Sequence, residues 1–335
     1  MNNSLKAKRI HENSIVVDSH LDLGGIIYNA RSKGKTRVME TIFLRDFRRA
    51  SFNFIIAAIF IENEYLPDMG LKMALRQVDA IYNDIKESNE HFVLVTNKSE
   101  MDTAMKENKI GIIMSLEGVE PIGRDLSLLN IFYKLGVRGL GLTWSRRNFA
   151  ADGSYFRNPR EGIKGGLTPF GIEVVSLAEN LGMFIDVSHI NDEGFSDVAE
   201  YTELPFIASH SNARSVNDIT RNLTDSQIEI IGENSGVIGI NAYKNIVSSK
   251  EEEQNVDRLC DHIEYIISLA GEDSIGFGFD LCNNYYNSGK EYDTIKNHSE
   301  SLLITEELLR RGFSDDTLSK LVGGNYYRYL TSMLK

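Results

Sequence analysis

The stretch PFGIEVVSLAENLGMFIDVSH, residues 169–189, carries the unit that decides the fold. A helical pattern covers 169–181, a glycine turns the chain, and a short apolar run, 183–189, ends on Ser188 and His189. The same kind of apolar run recurs outward from it in both directions. Strand candidates precede it at 14–20, 53–61, 110–117 and 137–144, and follow it at 205–210, 236–243 and 274–280. Helical patterns at 71–87, 125–135, 224–233, 256–270 and 300–311 fall between most of them. Eight near-continuous apolar strands alternating with helices are what a parallel sheet buried on both faces requires. That number of units predicts an α/β protein of the closed (β/α)8 TIM-type barrel class, as one domain over residues 1–335. An open dinucleotide-binding sheet is the weaker reading, because no GxGxxG follows the first strand.

Bulk properties are those of an ordinary globular protein: 335 residues, 42% hydrophobic and 25% charged. A net charge of -12 argues against a nucleic-acid surface. Cys260 and Cys282 are the only cysteines, so neither a disulfide framework nor a Cys-rich zinc module is expected. The greasiest run, Phe52 to Ile61, is too short to span a bilayer. The amino terminus lacks the apolar region of a secretory signal, and the carboxyl terminus lacks a hydrophobic tail. The expectation is a cytoplasmic protein without a membrane partner, with a homodimer as the default oligomer.

The polar residues are concentrated at the ends of the strand candidates. The first run ends in Asp18-Ser19-His20-Leu21-Asp22, the third in Glu117, the fifth in Asp186-Val187-Ser188-His189, the sixth in Ser209-His210 and the last in Asp280. A (β/α)8 barrel carries its active site at the carboxyl ends of its strands, so five strands deliver a histidine or a carboxylate to one rim. A single strand-end histidine is ordinarily just a hydrogen-bonded rim residue, and a single carboxylate there is ordinarily a helix cap. The convergence of the set points instead to a metal centre. His11, His91, His262 and His298 lie at no strand carboxyl end and keep a structural reading.

His20 and Asp22 are two residues apart, which puts both on one face of an extended strand. Imidazole and carboxylate without thiolate suit Zn2+, with Mn2+ or Co2+ as alternatives. His20, Asp22, His189 and His210 supply two ligands to each of two ions, and Glu117 is the candidate bridge. Two divalent ions roughly 3.5–4 Å apart need anions between them to offset their repulsion.

These segments resemble the renal (membrane) dipeptidase family of amidohydrolase-like barrels along nearly the whole chain. The marks are DSHLD (18–22), SLEG (115–118), GLTPFG (166–171), LGMFIDVSH (181–189), ASHSNAR (208–214), RNLTD (221–225), GFGFD (276–280) and GGNYYR (323–328), in the family's order. The resemblance implies the metal ligands His20, Asp22, Glu117, His189 and His210, the set already reached from strand ends. It further implies that Arg221 binds the α-carboxylate of a dipeptide, for which a guanidinium is suited by its bidentate geometry. Asp280 matches the aspartate that contacts the substrate amine and moves a proton.

Two positions depart from the family pattern. Trp144, the only tryptophan, stands where animal members carry a histidine that polarises the scissile carbonyl, and it can donate only through its indole N–H. That leaves Arg146, Arg147 or the metals to stabilise an oxyanion, with Trp144 as a substrate-binding residue. Cys282 stands where a second aspartate is frequent. The expected activity is hydrolysis of dipeptides, including ones with a D residue, by a hydroxide bridging two zinc ions, with Asp280 and Glu117 catalytic. The rival readings are a two-metal amidohydrolase acting on a lactam, lactone or N-acyl amino acid, and a weakly active metal-binding scaffold.

Overall fold

The computed structural model describes residues 2–155, 162–286 and 288–335. Its strands are β1 Val16–Leu21, β2 Phe52–Phe60, β3 Phe92–Leu94, β4 Ile110–Glu117, β5 Val137–Gly141, β6 Phe184–Asp186, β7 Ile238–Ile240 and β8 Ile275–Phe277. They form a sheet ordered β6-β5-β4-β2-β1-β8-β7, with β3 on β4 outside this path. Every strand pairing is parallel. Residues 206–208 then join the two ends of the path through single parallel bridges, Asp186 with Ile207 and Ala208 with Ile238. Four backbone hydrogen bonds make the junction: Val187 N to Ile207 O (2.7 Å), Ile207 N to Ile185 O (3.0 Å), Ala208 N to Val237 O (3.1 Å) and Gly239 N to Ala208 O (2.7 Å). The ring is therefore closed, as the eight-unit pattern predicts.

Two details differ from the sequence expectation. The run 205–210 bridges its neighbours without forming a strand, because Pro205 has no N–H and the chain turns at Ser209 and His210. β3 is a three-residue strand, too short and too exposed on one side to show a period. The helices agree closely: Gly70–Glu87, Leu126–Lys134, Pro169–Leu181, Asp225–Glu233, Val256–Ala270 and Ser301–Arg310. Local chemistry sets their ends. The Thr168 hydroxyl caps Pro169–Leu181, which stops at Gly182 in the left-handed region, and Thr224 with Gln227 forms a capping box on Asp225–Glu233.

Side chains divide by face. Ile55, Ile112, Leu116 and Leu140 pack outward against the helices in the larger hydrophobic cluster. Val17, Phe54, Ile56, Ile113, Phe184, Ile207 and Val237 form a second cluster with Tyr326, Tyr329, Leu330 and Met333 of the helix Asn325–Met333. Directly above this inner cluster the side chains become small. The Ser19 hydroxyl lies 2.6 and 2.8 Å from the carbonyl oxygens of Ser209 and Phe277. A Cβ on Gly239 or Gly278 would sit 1.9 or 1.8 Å from the Ser209 oxygen, so only glycine fits there. Among the described residues no helix is long and apolar enough to cross a membrane.

Two histidines are structural and wholly buried. His11 bonds the Ala50 carbonyl (3.0 Å) and the Thr305 hydroxyl (2.8 Å). His262 bonds the Val247 carbonyl (2.8 Å) and accepts from Ala213 N (3.2 Å). Burial pushes both rings from 6.5 down to about 4, partly offset by the carbonyl each ring meets. The native rings stay neutral where unfolded ones take up a proton, so their contribution is present above pH 6.5 and is lost as pH falls toward 4. Each ring contributes on the order of 2–3 kcal/mol at most across that window. Urea titrations at pH 7.5 and 5 should show the loss, and replacing both rings by Gln should flatten it. Identical pH slopes in the two proteins would remove these rings as the cause.

Candidate metal centre

The rim of the barrel gathers the residues singled out in the sequence. His20 is the penultimate residue of β1 and Asp22 follows the strand, while Glu117 ends β4. His189 lies just past β6, His210 just past the bridging segment, and Asp280 just past β8. Glu117 is the hub. One of its oxygens is 3.0 Å from His189 Nε2 and 3.8 Å from His210 Nε2, and the other is 3.6 Å from His20 Nε2. The His20 and His210 rings are 3.7 Å apart at their centroids. Asp280 Oδ1 is 4.0 Å from His20 Nε2. Ligand atoms of His20, Glu117 and His210 lie within 4.8 Å of one another, as do those of His20, Asp22 and Asp280.

Three atoms of this cluster are buried without a hydrogen-bond partner: His20 Nε2, His210 Nε2 and Asp22 Oδ1. Buried polar atoms are nearly always bonded, and orphans of this kind call for an ion. The supports behind the rings agree. The Ser209 hydroxyl donates to Asp186 Oδ2, so the short contact at His210 Nδ1 (2.7 Å) is the ring's own N–H donating to that hydroxyl. His210 Nε2 then faces the cluster as a lone pair, the usual condition of a metal-bound imidazole. His189 is framed differently. Arg221 Nε donates to its Nδ1 (3.1 Å), which leaves the neutral ring's proton on Nε2 toward Glu117. The Ser145 hydroxyl, 2.8 Å from Nδ1, is the acceptor that receives an Nδ1 proton when Nε2 lends its lone pair.

Electrostatics describe an excess of anion. Burial opposes the charge on Glu117, but His20 and His189 outweigh it and hold the carboxyl well below the usual range. Burial and Glu117 push Asp22 well above that range, and push Asp280 up to about 6. Burial resists protonation of His20, yet Glu117, Asp280 and Asp22 raise it to about 10. Burial lowers His189 to about 3, assisted by Arg221, and takes His210 far down, assisted by His20. Three carboxylates thus share one cationic ring, and a divalent cation among them relieves the repulsion that the protons now relieve. The donors are nitrogen and oxygen only, so the residues fit a metal of the zinc type.

The remaining residues are arranged around this hub. Arg221 is enclosed beneath the rim, with Nη1 donating to Ser211 (3.1 Å) and Nη2 to the His210 carbonyl (3.0 Å). Cys282 Sγ approaches the Asp280 carbonyl at 3.3 Å, and burial pushes its thiol well above the ordinary range. Trp144 stands beside His189, with ring centroids 5.8 Å apart. Arg146 and Arg147 are spent elsewhere, on Glu120 and Asp152 respectively, so neither is presented to the cluster. Two supports escaped the sequence analysis. Asn241, wholly buried past β7, donates to Asp280 Oδ2 (3.1 Å), and its place at the end of a strand candidate was the available signal. His298, set aside as structural, bonds Asp18 Oδ2 (2.8 Å), while Asp18 Oδ1 accepts from His20 N and Phe279 N. It opens the short 3-10 helix His298–Glu300, away from any strand end, so nothing in its sequence context marks it.

A closed parallel barrel with histidines and carboxylates gathered at its carboxyl rim defines a metal-dependent hydrolase of the (β/α)8 class. The chain belongs to the membrane dipeptidase family, peptidase family M19, whose model matches residues 5–333. It is 28% identical to dipeptidase 3 of Homo sapiens over 341 residues, 98% of this chain and 67% of that protein. The chain thus spans about two thirds of the length of such relatives. A solved metallopeptidase of the same family, dipeptidase AC, superposes with a TM-score of 0.84 at 26% identity, over 96% of this chain and 99% of its own. A metallopeptidase from Rhodobacter sphaeroides, solved with a phosphinate mimic of L-Ala-D-Ala, shares the fold at a TM-score of 0.83 and 24% identity, over 96% of this chain and 100% of its own.

Metal should be part of the folded state. Stripping the protein with a chelator should lower its melting temperature, and zinc at a hundredfold excess over Kd should restore roughly 2.7 kcal/mol. Glu117→Gln should lose most of that gain, since the hub then keeps its polarity but not its charge. A melting curve indifferent to chelator and zinc would count against the centre.

Proposed function

We propose that this protein is a dipeptidase that hydrolyses the peptide bond of free dipeptides, including those ending in a D residue, with two zinc ions at its centre. The observation that carries the reading is the set of orphaned buried atoms of His20, His210 and Asp22 around the Glu117 carboxylate. His20 and Asp22 would hold one ion, His189 and His210 the other, with Glu117 between them. When bound, such ions supply Lewis acidity and a water acidic enough to serve as nucleophile at neutral pH.

The protein's own groups then account for the choice of a short substrate. Arg221 spends one N–H of each terminal nitrogen on Ser211 and the His210 carbonyl, which leaves one on each for the α-carboxylate. Asp280 lies on the His20 side, its carboxylate steadied by Asn241. It is the group that meets the substrate amine and carries a proton to the leaving nitrogen. A cation and an anion flanking the same cluster match the two charges of a zwitterionic dipeptide.

Kinetics on L,L and L,D dipeptides beside N-acyl amino acids, lactams and lactones test the reading, with elemental analysis for two ions per chain. Turnover confined to the other amides or esters, or a single ion at saturation, would overturn the corresponding part. Arg221→Met should raise KM for free dipeptides by one to two orders of magnitude, about 1.5–3 kcal/mol, and change dipeptide amides little. Equal losses for acids and amides would take Arg221 out of the site.

Asp280 sits at a φ of 54°, a left-handed conformation that Asn adopts as readily as Asp. Asp280→Asn should therefore keep the backbone and the metal content while lowering kcat by ~10²–10⁴-fold. Loss of an ion in the variant, with activity rescued by added zinc, would make Asp280 a ligand instead.

A further inference from the structure

On the His189 side of the centre stands an aromatic wall. The Trp144 ring lies 5.2 Å from Phe60 and 5.8 Å from His189. The Arg146 guanidinium is 5.2 Å from the Trp144 ring centroid and 5.3 Å from that of Phe60, within cation–π range of both. The guanidinium is itself pinned, with Nε donating to Glu120 (2.6 Å), Nη1 to Asn63 (3.1 Å) and Nη2 to the Ile61 carbonyl (2.8 Å). Arg146 and Glu120 have only 10% and 8% of their side chains exposed, so this brace is shielded from water and salt. Trp144 is only partly buried. A tryptophan that served the core alone would be covered. One left open at the mouth of a site, stiffened by a buried ion pair, has the character of a recognition surface.

The wall has a defined neighbour. His189 is the common neighbour of Trp144 and Arg221, its ring centroid 5.8 Å from that of Trp144 and its Nδ1 accepting from Arg221 Nε, whereas Asp280 is on the His20 side. A substrate held by Arg221 through its carboxylate therefore brings its carboxyl-terminal residue next to Trp144. We infer that Trp144 and Phe60, braced by Arg146, form the subsite for the side chain of the carboxyl-terminal residue and select dipeptides in which it is aromatic or large and apolar. The inference rests on the dipeptidase reading and adds a specificity to it. Arg146 acts through Trp144 and is a positioning residue.

Trp144 is the only tryptophan of the chain, so its emission reports on the subsite directly. On the zinc-loaded protein, kcat/KM should favour Ala-Phe over Ala-Gly by roughly tenfold or more, chiefly through KM. Trp144→Ala should bring that ratio to within about threefold, and Trp144→Phe should keep most of it. Arg146→Met should lower the ratio and shift the Trp144 emission in the absence of substrate. A ratio unchanged in Trp144→Ala overturns the inference. Binding to the wild-type protein gives a second measurement that does not depend on any variant folding. L-phenylalanine should alter the Trp144 emission at lower concentration than glycine, and an emission unmoved at inhibitory phenylalanine concentrations also overturns it. Dipeptide hydrolysis without preference removes this inference alone, whereas no hydrolysis of any dipeptide removes it together with the function on which it rests.

Discussion

The hydrogen bonds that residues 206–208 make to β6 and β7 are the constraint on which the rest depends. A parallel sheet left open there would splay His189 and His210 away from the β1 end, where His20 and Asp22 lie. Closed, it brings groups more than 180 residues apart in the chain to within a few ångströms of Glu117. The segment achieves this with two bridges rather than a ladder, and the small layer of Ser19, Gly239 and Gly278 lets its backbone approach the opposite strands. The turn that ends the closing element also carries His210 into the buried cluster around Glu117.

Above that layer, the site follows from a conflict between burial and charge. Burial alone would leave the carboxylates protonated and the rings neutral, and the mutual proximity of the groups resolves this only in part. What keeps the arrangement in one geometry is a set of neutral or paired supports beneath it. Asp186 and Ser209 orient His210, Asp18 with His298 ties β1 to β8 beneath His20, and Asn241 steadies Asp280. Each support spends a backbone or side-chain bond within the barrel, so the inward atoms of His20, His210 and Asp22 are left with no protein partner of their own. The centre is preorganised for a cation because its other options have been used up.

Much of this is legible in the sequence, and the reasons differ by residue. Apolar runs ending in His or a carboxylate reveal the strands and the rim together, because barrel topology converts a position along a strand into a height in the fold. Helix limits at Pro169, Gly182 and Thr224 follow from local chemistry and are read correctly for that reason. The segment 205–210 is read as a strand because its apolar composition is that of one. Only its neighbours' geometry shows that it pairs at single residues. β3 is missed because three residues carry no period. His298 is structural, as read, but its partner Asp18 lies 280 residues away in the chain, and no local pattern encodes such a pairing. The pairing of Arg146 with Glu120, 26 residues before it, is hidden from the sequence for the same reason.

His189 and Asp280 both adopt left-handed backbone conformations, with φ of 70° and 54°. That has a consequence for how the protein can change by descent. Among residues with a side chain, Asn is the one that accepts this conformation best. The codons for His and for Asp are each a single base away from a codon for Asn. A folded descendant with intact barrel, caps and core, but without the rim imidazole or the rim carboxylate, therefore lies one mutation away at either position. The reverse step is equally short, so a lineage of this fold can lose and regain either group without passing through an unfolded ancestor. Replacement by a β-branched residue at the same two positions is opposed by the backbone itself, and selection on stability alone would suffice to remove it.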